Sequence, residues 1–140
     1  MHLTRDDFAA WLGRYVEAWR SRDPAAIGDL FSTDAAYSYR GGRDVVSGRE
    51  AIVRSWLEDE EDEEEDEDRW EAHYEPLAVD GEVHVATGWT RYFNASGAVR
   101  DEYSNIFVCR FDDAGRCAEF SEWFMRATDA AAEQAPDEAA

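Results

Sequence analysis

Lysine is absent from this chain, and all 14 of its basic residues are arginine. Set against 33 aspartates and glutamates they leave a formal charge of −19, which argues against nucleic acid as a partner, because a phosphate backbone needs a basic surface. Cysteine is scarce: Cys109 and Cys117 are too few for a disulfide framework. No apolar run approaches the roughly 20 residues of a membrane span. The segment from Thr4 to Asp7 is polar, with no apolar stretch of the kind a secretory leader carries, so the expected location is cytoplasmic and no membrane contact is expected. There is no glycine-rich loop to cradle phosphate, and Ser121 has no adjacent histidine to activate it as a nucleophile. His73 and His84 flank the Asp80-Gly81 turn without a third ligand at metal-binding spacing. Neither a metal nor a cofactor is expected.

What the chain does have is aromatic residues, 14% of 140, a large share for so acidic a protein. Such residues bury large areas and often line ligand cavities. Phe8, Trp11, Leu12, Tyr15, Val16 and Trp19 recur at helical spacing and predict a helix over 5–21, capped by Thr4 with Asp6 and Asp7 in its first turn. Asp23-Pro24 starts a short second helix with Ile27, Leu30 and Phe31 on its apolar face. A short strand is expected over 35–39, broken by Gly41-Gly42, and Ser47 or Gly48 opens a third helix that carries Ile52, Val53, Trp56 and Leu57. Residues 58–68 are all acidic. Such a run repels itself and favours a solvated loop extending that helix, with a cation or basic-partner site as the alternative. Four strands follow, over 70–79, 83–93, 99–111 and 116–126, joined by tight turns. Residues 127–140 read as a frayed acidic and alanine-rich tail. Helices segregated from strands indicate an α+β class.

Pairing Phe111 with Arg116 across the last turn places Phe107 opposite Phe120, Asn105 opposite Glu122, and Tyr103 opposite Phe124, all on one sheet face. The same register sends Cys117 to the other face with Glu119, Ser121 and Trp123, apart from Cys109. The patch is aromatic with one acid and one amide at its centre. Glu122 is then either a partly buried acid hydrogen-bonded to Asn105 or a residue that only closes a polar network or faces solvent. Tyr15 and Trp19 either pack in the core or line a pocket, and Tyr37 and Tyr39 share one strand face toward its mouth.

Arg14-Tyr15-Val16-Glu17, Asp34-Ala35, Gly48-Arg49-Glu50-Ala51-Ile52 and Arg110-Phe111-Asp112-Asp113-Ala114-Gly115-Arg116 occur in an order and spacing that resemble the SnoaL-like and ketosteroid isomerase-like branch of the nuclear transport factor 2-like superfamily. The resemblance implies a single domain over 1–126, with 58–68 as an acidic loop insertion. It implies a cone-shaped fold of three N-terminal helices on a strongly curved, mostly antiparallel sheet, a deep pocket, and a homodimer through the outer sheet face. In ketosteroid isomerases the tyrosine donor corresponds to Tyr15. The base corresponds to Tyr39, the second aspartate to Phe107 and a supporting tyrosine to Trp56, so the usual Tyr/Asp/Asp set is not present. In the polyketide cyclases of this branch, the acid/base residue lies seven residues after the hairpin glycine. Counting from Gly115 gives Glu122.

These lines converge on a small-molecule-binding protein whose pocket is lined by Trp19, Tyr39, Trp56, Trp89, Tyr103, Phe107, Phe120 and Phe124. The alternatives are an enzyme that uses Glu122 as general acid/base with Tyr15 or Asn105 as donor, and a dimeric interaction module without a ligand.

Overall fold

The computed structural model describes residues 3–62 and 69–126. Three helices, α1 (Arg5–Ser21), α2 (Pro24–Asp29) and α3 (Arg49–Asp62), lie on one side of a six-stranded sheet made of β1 (Phe31–Ser38), β2 (Val46–Ser47), β3 (Trp70–Asp80), β4 (Val83–Phe93), β5 (Val99–Phe111) and β6 (Cys117–Arg126). The strand order is β2-β1-β6-β5-β4-β3. Only the β1–β6 pairing is parallel. The class is α+β, and the curved sheet does not close on itself.

The helix ends follow their local chemistry. Thr4 Oγ1 accepts from the Asp7 amide at 3.1 Å while the Asp7 carboxylate accepts from the Thr4 amide at 3.2 Å, a reciprocal cap of two amides that have no partner within the helix. Asp23 accepts from the Ala25 amide at 3.1 Å ahead of Pro24. Arginines then tie helices to neighbouring backbone: Arg5 donates to the Pro76 carbonyl at 2.8 Å, Arg49 to that of Phe31 at 3.0 Å, and Arg22 to that of Trp56 at 2.7 Å.

The structure departs from the sequence expectations in several places. Phe31 opens β1 rather than closing α2, and β2 was not anticipated. α3 continues through Asp62, so the first part of the acidic run is helical rather than loop. The rest of that run, and the tail over 127–140, lie outside the described residues. His84 is a buried core residue whose ring nitrogens sit 3.0 Å from the Leu3 and Glu82 carbonyls. It faces inward while His73 faces outward, because they pair with Val79 and Trp89 at positions of opposite parity. Among the described residues no three metal-ligating side chains gather, and no helix is long and apolar enough to cross a membrane.

The β5–β6 register differs from the expected one by two residues: Phe107 pairs with Glu122, Asn105 with Phe124, and Tyr103 with Arg126. Two is the side-chain period of a strand, so the shift leaves every residue of the patch on its expected face. The exception is Cys117. Arg110 pairs with Glu119 but Phe111 with Cys117, so Ala118 is an extra residue and the bulge turns Cys117 inward. Cys117 and Cys109 are both fully buried and both free. Burial, with the neighbouring Cys117 thiol adding to it, pushes the Cys109 thiol well above its ordinary range.

One end of the cone is filled solid. Phe8, Trp11, Phe31, Phe111 and His84 meet there, mostly edge to face. Farther along, Gly88 decides how β3 approaches β4. A Cβ on Gly88 would stand 2.0 Å from the His73 carbonyl oxygen and 2.6 Å from the Tyr74 ring. Tyr74 occupies that slot and reaches Thr90, the next inward residue on β4. Gly88→Ala must push backbone from backbone, and is expected to cost about 1–3 kcal/mol. Urea denaturation with an unchanged midpoint would show that the two strands have room to separate.

Candidate functional site

The other end of the cone holds a cavity of about 890 Å³. Its walls come from α1 (Tyr15, Trp19, Arg20), β1 and its following loop (Tyr37, Tyr39, Asp44), α3 (Ser55, Trp56, Glu58) and the four long strands (Trp70, Tyr74, Thr90, Tyr92, Arg100, Asp101, Tyr103, Asn105, Glu122, Phe124). Trp19 and Trp56 stack with centroids 4.2 Å apart and form one flat wall. Arg100 reaches this lining at a bulge: Tyr92 pairs with Asp101 but Phe93 with Val99, which makes Arg100 the extra residue of β5 there. At the rim Arg126 and Arg100 both donate to the Asp101 carboxylate, and those bonds, that of Arg126 foremost, hold its pKa below the usual range.

The only carboxyl on the inner face of β6 belongs to Glu122. It is half-buried, and Asn105 Nδ2 donates to its Oε2 at 2.6 Å. Asn105 Oδ1 accepts from the Thr90 hydroxyl at 3.0 Å, and the Thr90 and Tyr74 hydroxyls lie 2.6 Å apart. Among the described residues no second hydrogen bond reaches the Glu122 carboxyl. Loss of solvent disfavours its charged form more than the single Asn105 bond favours it, and its pKa is pushed from the ordinary 4.5 to about 7. Tyr15 sits deeper. Burial, with Tyr37, Glu122 and Tyr74 nearby, drives its phenol well above the ordinary value, so it is a neutral hydroxyl at every physiological pH.

The structure brings together most of the residues singled out from the sequence. Glu122, Tyr15, Asn105, Trp19, Tyr39, Trp56, Tyr103 and Phe124 all line the cavity. Phe107 and Phe120 do not: both are sealed in the core, packed against Tyr15, with centroids at 5.3 and 5.5 Å. Trp89 is on the opposite face of the sheet, paired with His73 and Ser104 and covered by the Arg91 guanidinium at 4.0 Å. Trp89 falls one residue from the inward position Thr90, so its parity sends it outward. The residues missed include Thr90 and Tyr74, and at the cavity wall Trp70 and Tyr92. A period-2 count along β4 from Ala86 would have found Thr90, whereas Tyr74 needed the position of Gly88.

A shifted carboxyl also leaves a signature in stability. Between pH 4.5 and about 7 the folded chain holds a proton on Glu122 that the unfolded chain has released. The contribution of this group is therefore full below that window and is lost as pH rises through 7. Glu122→Gln keeps the shape and removes the titration. Relative to wild type, the variant is expected to gain stability on the order of 1–3 kcal/mol between pH 5 and pH 8, measured by chemical denaturation across that range. Parallel curves for the two proteins would mean that the carboxyl is solvated like any surface glutamate.

Comparison with known proteins agrees with this architecture. A family model described as the SnoaL-like domain matches residues 12–120. A comparison with curated proteins finds no match. Among solved structures, one that matches is a proposed polyketide cyclase from Sinorhizobium meliloti, at 20% identity and a TM-score of 0.58, covering 86% of this chain and 99% of that one. At that identity the likeness speaks for the fold. With more than half of its length matched, this chain belongs to the SnoaL-like domain family, a branch of the nuclear transport factor 2-like superfamily.

Proposed function

We propose that the cavity binds a small, largely apolar organic molecule and that Glu122 moves a proton on it. A single observation carries the reading: the carboxyl faces a cavity walled by aromatic rings, holds only one hydrogen bond among the described residues, and has its pKa pushed to about 7 by burial. A group poised near pH 7 serves as base when ionised and as acid when protonated. Tyr15, held neutral, supplies a hydroxyl donor for developing charge on the ligand. Steroid isomerisation by the usual residues is disfavoured, since Tyr39 and Phe107 replace two carboxylates and Phe107 does not reach the cavity. A cytoplasmic location is part of the proposal, a reducing compartment being one in which the buried free thiols Cys109 and Cys117 persist.

5-Nitrobenzisoxazole tests the chemistry without knowledge of the natural substrate. A carboxylate removes its C3 proton, the N–O bond breaks, and a coloured cyanophenolate forms. The wild-type rate is expected to rise with pH through about 7, and Glu122→Gln to lower it at least about a hundredfold. Equal rates for the two proteins would reduce the site to a binding pocket.

A homodimer through the outer sheet face is the second part of the proposal. Val85, Val108, Ile106, Trp123 and Met125 lie on adjacent outward positions, and the last three are among the exposed large hydrophobic residues. Apolar surface of this kind is what subunit interfaces cover. Placing a charge at the centre with Ile106→Glu should turn a dimer into a monomer in sedimentation at micromolar concentration. A wild-type chain that already sediments as a monomer would remove this part.

A further inference from the structure

The hydrogen bonds that end on Glu122 all run in one direction. A carboxylate only accepts, so the edge of Asn105 turned toward it at 2.6 Å is the amide NH₂. The other edge of Asn105 is then a carbonyl, which also only accepts, and Thr90 commits its single hydroxyl proton to it at 3.0 Å. With that proton used, the 2.6 Å contact between Tyr74 and Thr90 is donated by Tyr74. Three side chains, one from each of β3, β4 and β5, thus form a donor-to-acceptor chain that ends on one atom of β6, Glu122 Oε2. Thr90 and Asn105 are 7% and 5% exposed, so water has little room to replace either.

Resting on the role given to Glu122 above, we propose that Tyr74, Thr90 and Asn105 are positioning residues. They keep Oε2 a permanent acceptor and confine the transferable proton to Oε1, the oxygen with no protein hydrogen bond among the described residues. The consequence is symmetrical. As a base, Glu122 takes the ligand's proton on Oε1. As an acid, it returns a proton from the same atom, and the amide never has to turn over between the two steps. Thr90 is the element that enforces this. Without its hydroxyl the Asn105 amide can rotate and offer its carbonyl to a protonated Oε2, which traps the proton on the protein side and favours the neutral acid.

Other groups near the carboxyl do not account for such an effect. Tyr15 on α1 and Tyr74 on β3 are pushed by burial well above their ordinary range and stay neutral while Glu122 titrates. Asp44 in the loop after β1, Glu58 on α3, and Arg100 and Asp101 on β5 line the same cavity, and the substitutions below leave them in place.

The test is a direct titration by ¹³C NMR of protein labelled at glutamate side-chain carboxyls, with Glu122→Gln identifying the resonance. Thr90→Val preserves the shape and removes the donor. It is expected to raise the Glu122 midpoint by about one unit, and the inflection of 5-nitrobenzisoxazole elimination moves up with it. Thr90→Ser restores both. Tyr74→Phe, farther out, shifts the midpoint the same way by less, and stands in should the valine variant fail to fold. An unchanged midpoint in folded Thr90→Val, or a serine variant that behaves like valine, overturns the proposal. A wild type inert toward the probe whose midpoint still responds to Thr90 supports the positioning and removes only the proton-transfer role. An active wild type whose pH profile ignores Thr90 does the reverse.

Discussion

A carboxyl group held among aromatic rings must be hydrogen-bonded or give up its charge, and the inner face of this sheet is arranged around that constraint. Among the described residues Asn105 supplies the one hydrogen bond that the Glu122 carboxyl receives, and its amide is in turn fixed by Thr90 and Tyr74. The balance is close: desolvation wins, but only far enough to bring the group near neutrality. Gly88 belongs to the same arrangement, because only a residue without a side chain lets Tyr74 cross β4 and reach Thr90. A single backbone position on β4 therefore links the packing of two strands to the electrostatics of a third and a fourth.

The two ends of the cone divide the work. At the closed end Phe8, Trp11, Phe31 and Phe111 interlock, and His84 is consumed by two carbonyls. That rigid end holds β4, β5 and β6 in register. At the open end Trp19, Trp70 and Tyr92 border the cavity, and Trp56, itself a core residue, backs it. Phe107 and Phe120 sit between the two ends, core residues whose faces support Tyr15. Sites held on packed strands keep their geometry better than sites on loops, and here every member of the hydrogen-bonded chain is on a strand.

The absence of lysine acquires a structural sense in this setting. A guanidinium presents several donors in a fixed plane. Arg5, Arg22 and Arg49 use it to reach main-chain carbonyls of distant segments, while Arg20 and Arg22 also lie over Trp70 and Trp19. In a chain with so large an excess of acid, these contacts join elements without adding to carboxylate pairing. The helices are thereby fixed around the cavity at several points of the main chain.

Much of this was legible in the residues alone. Helical spacing and capping residues located α1 and α2, turn residues located the four long strands, and alternation placed Asn105 and Glu122 on one face. That last result survived a register error of two because two is the period of a strand. An error of one, which the bulge at Ala118 introduces for Cys117, did turn a side chain to the wrong face. Aromatic composition raised the expectation of a pocket but could not separate Trp19 and Trp56, which border the cavity, from Phe107 and Phe120, which do not. All four are large and apolar, and depth in a curved sheet is not written in local sequence. Nor could the sequence assign Tyr74 or Thr90 to the site. Their meeting depends on how closely β3 approaches β4, a distance set by the bare backbone of Gly88 and by the packing of the whole sheet. Residue type and periodicity thus determined which groups face inward; the tertiary structure decided how deep each one lies and which neighbour it meets, because both follow from curvature that no single segment controls.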